Sequence, residues 1–393
     1  MTGTQDSQFS PFTKRDAIQS VLLAILFVYL FLIGIECMGK GLKGLNLGKE
    51  LFNYFGPDAN PFLGLFVGIL ATTLMQSSSA TTALIVAMVG SHTISVSAAI
   101  PMVMGANIGT TVTNTIAALA HVARPIEFKR AFTAATCHDF FNFMAVLVLL
   151  PVELITRALW GHGALERIAY ELADLTGGMP GTKEKGIVKQ SIKWGYNQVT
   201  EAMDSIGLEG KTMKIVLIVV GLVIMFAALL GVIRSMRRLV VSRMEKYVNR
   251  FVGAGGLLAM IVGMVLTVFV QSSSITTSIL VPLAGAGMLT ARQIYPVTLG
   301  ANIGTTVTAL LAAFAVSGSG AFLARQVAFV HVLFNITGIL LLFVPVWWRW
   351  TPVKLAERMA AYAVERRRWA VVYVFGVFYV LPGLIFLITH LFD

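Results

Sequence analysis

Gln76-Ser77-Ser78-Ser79 decides how this chain is read, because Gln271-Ser272-Ser273-Ser274 repeats it 195 residues later. Apolar runs lead into both copies, residues 68–75 into the first and 263–270 into the second. The register holds without a gap between 76–113 and 271–308, and 18 of these 38 positions are identical. Both segments end in Gly-Ala-Asn-Ile-Gly-Thr-Thr-Val-Thr, at 105–113 and 300–308. Shared hydrophobicity matches apolar positions with one another, but the identities here are mostly Gln, Ser, Thr, Asn, Gly and Pro. The pattern is an internal duplication of one polar unit set in membrane-embedded sequence.

Of the 393 residues, 56% are hydrophobic and 12% charged, against roughly 25% charged in an ordinary soluble domain; mean hydropathy is +0.79. Several runs of about 20 residues carry almost no charge, enough to cross a bilayer as helix. The composition therefore predicts an all-α polytopic membrane protein whose surroundings are the lipid bilayer. The net charge of +11 would suggest nucleic acid in a soluble protein. Here Lys and Arg cluster between apolar runs, which the positive-inside rule explains, so no nucleic-acid partner is expected. Cys37 and Cys137 give neither a disulfide framework nor metal-ligand spacing. The first apolar run is followed by no small-residue cleavage signature, so no cleavable signal peptide is expected.

Along the chain, residues 1–16 read as a tail, and Lys14 and Arg15 hold the start of the first span, 17–37, in the cytoplasm. The first repeat half covers 17–160 and its core 61–120. Gly68, the Ser cluster, Gly90, Pro101, Gly105 and Gly109 interrupt that core. Such sequence predicts re-entrant hairpins and unwound transmembrane helices, which survive at membrane depth only when packed in protein or lining a cavity. A basic loop at 121–130 and a span at 131–154 follow. Residues 161–214 read as an extracytoplasmic loop with seven acidic and seven basic residues; within it, Ala164–Leu175 has helical spacing. The second repeat half covers 215–348: a span at 215–233, a basic loop, a core at 251–315 and a span at 326–347. The basic loop carries Arg234, Arg237, Arg238, Arg243, Lys246 and Arg250. Three basic residues leave the first core but only Arg325 leaves the second, which predicts two inverted-topology repeats. Lys40, Lys43 and Lys49, in a loop placed outside, run mildly against that rule. A basic amphipathic segment at 349–369 and a C-terminal span at 370–393 complete the chain.

The serines at a turn between two half-helices converge with free backbone N–H groups, which makes a neutral anion site rich in donors. Gln76, Ser77, Ser78 and Ser79 from one repeat and Gln271, Ser272, Ser273 and Ser274 from the other are expected to meet near the midplane around a tetrahedral oxyanion. Small residues for close helix packing are the competing explanation; duplication of the whole context favours binding. In the Gly-Ala-Asn-Ile-Gly-Thr-Thr-Val-Thr strings, the glycines permit unwinding. Asn107, Thr110, Thr113, Asn302, Thr305 and Thr308 then supply hard neutral oxygens for sodium, against the simpler role of a glycine-mediated helix crossing. Asp139, within His138-Asp139-Phe140-Phe141-Asn142, is an intramembrane carboxylate and hence a functional candidate. Its counterpart in the weaker echo at 331–335 is Val332, so it marks an extra cation or proton site in one half only. For His138 and His331 an interhelical hydrogen bond is the favoured role.

Together the paired Gln-Ser-Ser-Ser motifs, the paired Gly-Ala-Asn-Ile-Gly-Thr-Thr strings and the His-Asp-Phe-Phe-Asn segment resemble the type II sodium/phosphate cotransporters and their bacterial members. The resemblance covers both repeat cores and the span after each. It implies sodium-driven uptake of inorganic phosphate across a bacterial inner membrane. It also implies phosphate held by the two Ser-rich tips, and sodium by Gln271, Thr305 and Thr308, with Asp139 and Asn142 at a further site. An Asp at position 139 goes with electrogenic transport in that family. His121 and Arg124 stand where animal relatives have Gln and Asp, and Ala301 where they have Ser. The outer loop has no cysteine, so the disulfide of animal relatives is not expected there. Sodium is co-transported cargo, and no organic cofactor is implied. Oligomeric state is left open, a homodimer included. The competing readings are a sodium-coupled carrier of another oxyanion, a passive anion channel, and a membrane hydrolase using Ser77 or Ser272. The last lacks a base near the serine and gains nothing from a doubled nucleophile, so no enzyme is expected.

Overall fold

The computed structural model describes residues 14–45, 54–178, 186–251 and 256–392, and the side chains of 15–45, 54–177, 186–236 and 256–389. Lys49, most of the expected N-terminal tail and the side chains of Arg237, Arg238, Arg243, Lys246 and Arg250 lie outside these. Among the described residues every regular element is helical. Seven helices among them are long and apolar enough to cross a membrane. Large apolar side chains stand exposed along them, such as Ile25, Leu147 and Val223, as expected of lipid-facing surface.

The polar unit folds as a hairpin of helices. Asn60 caps α2 (Pro61–Met75), its Oδ1 accepting from Phe62 N and Leu63 N, and Pro61 occupies the first turn. The helix ends at Gln76, whose backbone is left-handed at φ 52°. Ser77 is extended, and its Oγ accepts from Ala80 N to start α3 (Ser78–Gly90). The second half repeats each step. α10 (Gly256–Val270) ends at Gln271, φ 56°, and the Ser272 Oγ accepts from Ile275 N to start α11 (Ser273–Ser278), followed by α12 (Leu280–Gly285). A left-handed non-glycine residue costs on the order of 1–2 kcal/mol, so both turns hold strain at the same motif position. At about 1.5 Å per residue, the 15-residue arms α2 and α10 reach only about 22 Å, short of the ~30 Å hydrocarbon core.

Each arm lies against a helix bearing the Gly-Ala-Asn-Ile-Gly string. α4 (Val96–Gly109) and α5 (Val112–Leu119) carry the first string, and α13 (Ala291–Ala315) the second. The glycines make these contacts possible. A Cβ on Gly105 would lie 2.9 Å from the Leu65 carbonyl carbon, and one on Gly300 2.7 Å from that of Met260. Gly109 and Gly304 approach Ile69 O and Met264 O in the same way, both at 2.7 Å.

This corrects the expectation of unwound strings. α13 runs through the second string without a break. The first is interrupted only at Thr110 and Thr111, whose backbones stay right-handed helical. Asn107 Nδ2 donates to Val103 O and the Thr110 and Thr305 hydroxyls to Ala106 O and Ala301 O, so these side chains lie along an intact ladder. The helix-crossing role, set second on sequence, is the one the glycines perform here.

Two expected loops are also helical. α6 (Pro125–Trp160) starts inside the basic segment at 121–130, because Pro125 is well suited to a first helical turn. α9 (Gly210–Phe251) continues for 42 residues, through the basic stretch after 233, where no Gly or Pro stops it. The segment at 161–214 contains α7 (Ala164–Leu175) and α8 (Ile187–Ser205). After α14 (Ala321–Leu342), the basic segment forms the amphipathic α15 (Thr351–Glu365), which buries Val353, Ala356, Ala360 and Ala363. The last span divides into α16 (Arg368–Phe375), a π-helical turn at Gly376–Val380 and α17 (Leu381–Phe392).

The ends of the hairpins lie against different neighbours. Beyond α3, His92 Nε2 bonds Ser319 Oγ at 3.2 Å, and Lys43 Nζ, near the end of α1 (Lys14–Leu45), also donates to Ser319. Ser317 Oγ donates to the buried Glu36 carboxylate at 2.5 Å. Gly285 and Gly287, ending α12, instead meet the His121 ring and the Arg130 guanidinium, groups that flank the start of α6.

Candidate functional site

The two Gln-Ser tips meet. Ser79 Oγ donates to the Gln271 carbonyl at 3.2 Å, and Thr308 Oγ1 donates to Gln271 Oε1 at 2.7 Å while lying 3.5 Å from Ser79 Oγ. Gln271 Nε2 closes on Val268 O. Ser78, Ser79, Ser273, Ser274 and Gln271 are buried. Ser77 and Ser272 are half-buried and serve as helix caps. On the first tip, Thr113 Oγ1 donates to Gln76 Oε1 at 2.9 Å, and Gln76 Nε2 donates to Thr73 O and, at 3.4 Å, to Tyr379 OH. The Gln–Thr pairing is therefore identical in both halves, but the settings differ: Gln76 is exposed and Gln271 is 7% exposed.

A second polar layer lies beside the tips. His138 Nε2 and Asn302 Oδ1 are 2.7 Å apart, Asn302 Nδ2 donates to Asn142 Oδ1 at 3.0 Å, and Asn142 Nδ2 donates to Asn107 O at 2.8 Å. His138 thus makes the interhelical bond expected of it. His331 does not: both its ring nitrogens are buried without a hydrogen-bond partner, as is Asn335 Oδ1. Thr110 and Thr305 bond their own helices and reach neither the tips nor this layer by a hydrogen bond.

Asp139 stands apart from both. It is fully buried; Oδ2 accepts from Tyr373 OH at 2.7 Å and from Thr115 Oγ1 at 3.4 Å, while Oδ1 has no hydrogen-bond partner. Asn142, expected at the same site, is instead engaged with Asn302 and Asn107. Among the described residues no cluster of three or more His, Cys, Asp or Glu is placed to hold a metal ion. A cation here would rely on one carboxylate and neutral oxygens.

Four contributors were not legible as site residues. Asn114 bridges the halves: its amide group meets Thr277 Oγ1 at 2.7 Å, and Ser278 Oγ donates to its Oδ1 at 2.9 Å. Thr115, Tyr373 and Tyr379 complete the contacts above. Asn114 offered a signal, a buried amide one position past the repeated string, but its counterpart is Ala309 and a search by repetition passes over it. The tyrosines have no counterpart at all.

The fold and site define a polytopic helical membrane protein whose buried polar centre is assembled from two like hairpins. The Na+/Pi-cotransporter family matches residues 30–165 and 217–353, and the chain belongs to that family. It is 33% identical to sodium-dependent phosphate transport protein 2B of Homo sapiens, over 93% of this chain and 64% of that one. It is 34% identical to protein 2A of Rattus norvegicus, over 93% and 67%, and 33% identical to protein 2A of Ovis aries over the same shares. The chain thus spans about two thirds of these relatives' length. No solved structure is a significant match.

Proposed function

We propose that this chain is a secondary active transporter that couples sodium entry to the uptake of inorganic phosphate by alternating access, as a multi-pass inner-membrane protein with a cytoplasmic N-terminus. The observation that carries the reading is the junction of the two tips, where Ser79, Gln271 and Thr308 converge from both halves. Its donors are neutral and numerous, which suits a tetrahedral oxyanion, and the family supplies phosphate as the substrate. The two halves are inverted repeats in this reading. Support comes from the matched glycine crossings, the matched Gln–Thr pairs and hairpin ends that lie against different neighbours.

Phosphate is held between the tips by Gln76, Ser77, Ser78 and Ser79 and by Gln271, Ser272, Ser273 and Ser274. Sodium is assigned to the oxygens of Gln271, Thr308, Asn302 and Thr305 in one half, with Asn107, Thr110 and Thr113 as their mates. Asp139 adds a site in the first half only, with Asn142 in the adjoining polar layer, and this makes net charge move in each cycle. Carrying an anion against an inside-negative potential costs about 2.3 kcal/mol per charge per 100 mV, so the coupled sodium must exceed that.

The test is uptake of radiolabelled phosphate into proteoliposomes under a sodium gradient, with potassium as control and sulfate as competitor, for the wild type, Ser78→Ala and Ser273→Ala. Expected is sodium-dependent accumulation that sulfate does not inhibit and that both substitutions abolish. Uptake indifferent to sodium would reduce the protein to a passive anion pathway, and sodium-driven uptake of another anion in place of phosphate would overturn the substrate.

A further inference from the structure

The last span carries two phenols that reach both polar sites. Tyr373 OH donates to Asp139 Oδ2 at 2.7 Å, and Tyr379 OH accepts from Gln76 Nε2 at 3.4 Å. Six residues separate them, about 9 Å along a helix axis, and the π-helical turn at Gly376–Val380 lies at the second; such turns occur mostly where a helix serves a site. Tyr373 is packed from both sides, by Phe132 and by Phe378 at centroid distances of 6.5 and 5.8 Å, so its hydroxyl has a fixed direction.

Asp139 has two unequal oxygens. Tyr373 and Thr115 both donate to Oδ2, whereas Oδ1 is buried and has no partner. A buried acceptor of this kind costs free energy unless something fills it. The neighbours supply donors to one oxygen and leave the other to a cation. Resting on the assignment of sodium to Asp139 above, we infer that Tyr373 is a positioning residue for that cation site: its phenol locks the carboxylate so that Oδ1 faces the arriving ion. Without the phenol the carboxylate is oriented only by the long Thr115 contact and the nearby Thr111 hydroxyl, which also bonds Ile108 O, and the ion must order it on binding. The C-terminal span thereby belongs to the sodium machinery, although it lies outside the duplicated sequence.

The experiment measures sodium activation of phosphate uptake in proteoliposomes for the wild type, Tyr373→Phe, Thr115→Val, Asp139→Asn and the double variant Asp139→Asn/Tyr373→Phe. Tyr373→Phe is expected to raise half-saturating sodium about tenfold, equivalent to about 1.4 kcal/mol, with phosphate KM at saturating sodium within about twofold of wild type. Thr115→Val is expected to move sodium activation the same way by a smaller factor, and it serves in place of Tyr373→Phe if that variant does not fold. The double variant is expected to match Asp139→Asn alone. If Asp139→Asn leaves sodium activation unchanged, the cation assignment falls and takes this inference with it. If Asp139→Asn shifts it but neither Tyr373→Phe nor Thr115→Val does, only the inference falls. A parallel loss of phosphate affinity, or additive effects in the double variant, would show a general loosening and also overturn it.

Discussion

Gly300→Ala separates two roles for the repeated glycines by the sign of its effect. If Gly300 is there to let its helix unwind, alanine improves the helix and stabilises it by about 1 kcal/mol. In the structure, however, its Cβ would fall inside contact distance of the Met260 carbonyl, 2.7 Å from the carbon and 2.9 Å from Met264 N. Both are backbone atoms and cannot rotate away, so α10 and α13 must separate by roughly 1 Å, at a cost at the upper end of the ~1–3 kcal/mol typical of overpacking. Set against the propensity gain, the net loss is about 2 kcal/mol. The displacement is passed to Gln271 at the end of α10, and a shift of about 1 Å in a binding group can lower turnover about a hundredfold. The matched control is Gly39→Ala, mid-helix in α1 with nothing within 4 Å of the added carbon. The assay is thermal unfolding of the purified protein in detergent together with phosphate uptake. Gly39→Ala should unfold at or above the wild-type temperature and Gly300→Ala clearly below it, with uptake lost. A Gly300→Ala variant as stable as Gly39→Ala would refute the crossing argument and restore the unwinding role.

The other predictions are read by the same unfolding assay. Gln271→Ala should lose about 1–2 kcal/mol, because it removes a buried amide that accepts from Thr308 and donates to Val268 O, while the bond from Ser79 to the Gln271 main-chain carbonyl stays; Gln76→Ala, at an exposed position, should lose less than half of that. Asn114→Ala should cost about 1–3 kcal/mol by leaving the Ser278 hydroxyl without its acceptor, whereas Thr277 keeps its bond to Ser273 O; adding Ser278→Ala should recover part of it, since removing both partners of a pair is milder than removing one. Glu153, which accepts from Leu165 N at 2.8 Å and Glu166 N at 3.2 Å, tethers the start of α7. Glu153→Ala should cost about 2 kcal/mol and make the 161–178 segment a preferred site of limited proteolysis.

The hairpins and their pairing were legible because duplication prints a signal that hydrophobicity cannot. The turn between half-helices, expected at the serines, falls one residue earlier, on the left-handed Gln76 and Gln271. The reading of the strings failed for a physical reason: glycine serves both unwinding and close approach, and a string alone does not say whether a neighbouring carbonyl lies within contact distance. At 105 and 300 one does. The basic segment after 233 reads as a loop in the sequence because charge marks the membrane boundary. A membrane boundary does not by itself end a helix, and where the stretch after 233 contains neither Gly nor Pro, α9 continues past it.

What stayed illegible is what breaks the repeat. The repeated residues give each tip the same Gln–Thr pair, yet Gln271 is closed in by Ser79 whereas Gln76 stands open against Tyr379. Asn114 pairs with Thr277, but its counterpart Ala309 has no polar group to offer Thr82, whose hydroxyl bonds Ser78 O and Ser79 O of its own helix. Asn302 holds His138 and Asn142 together, while His331 and Asn335 Oδ1 have no such bridge. A protein of two equal halves would present the same tip on both sides. Here residues without counterparts, Asp139, Asn114, Tyr373 and Tyr379, make the halves unequal. Substitutions at these positions should therefore affect the two tips unequally.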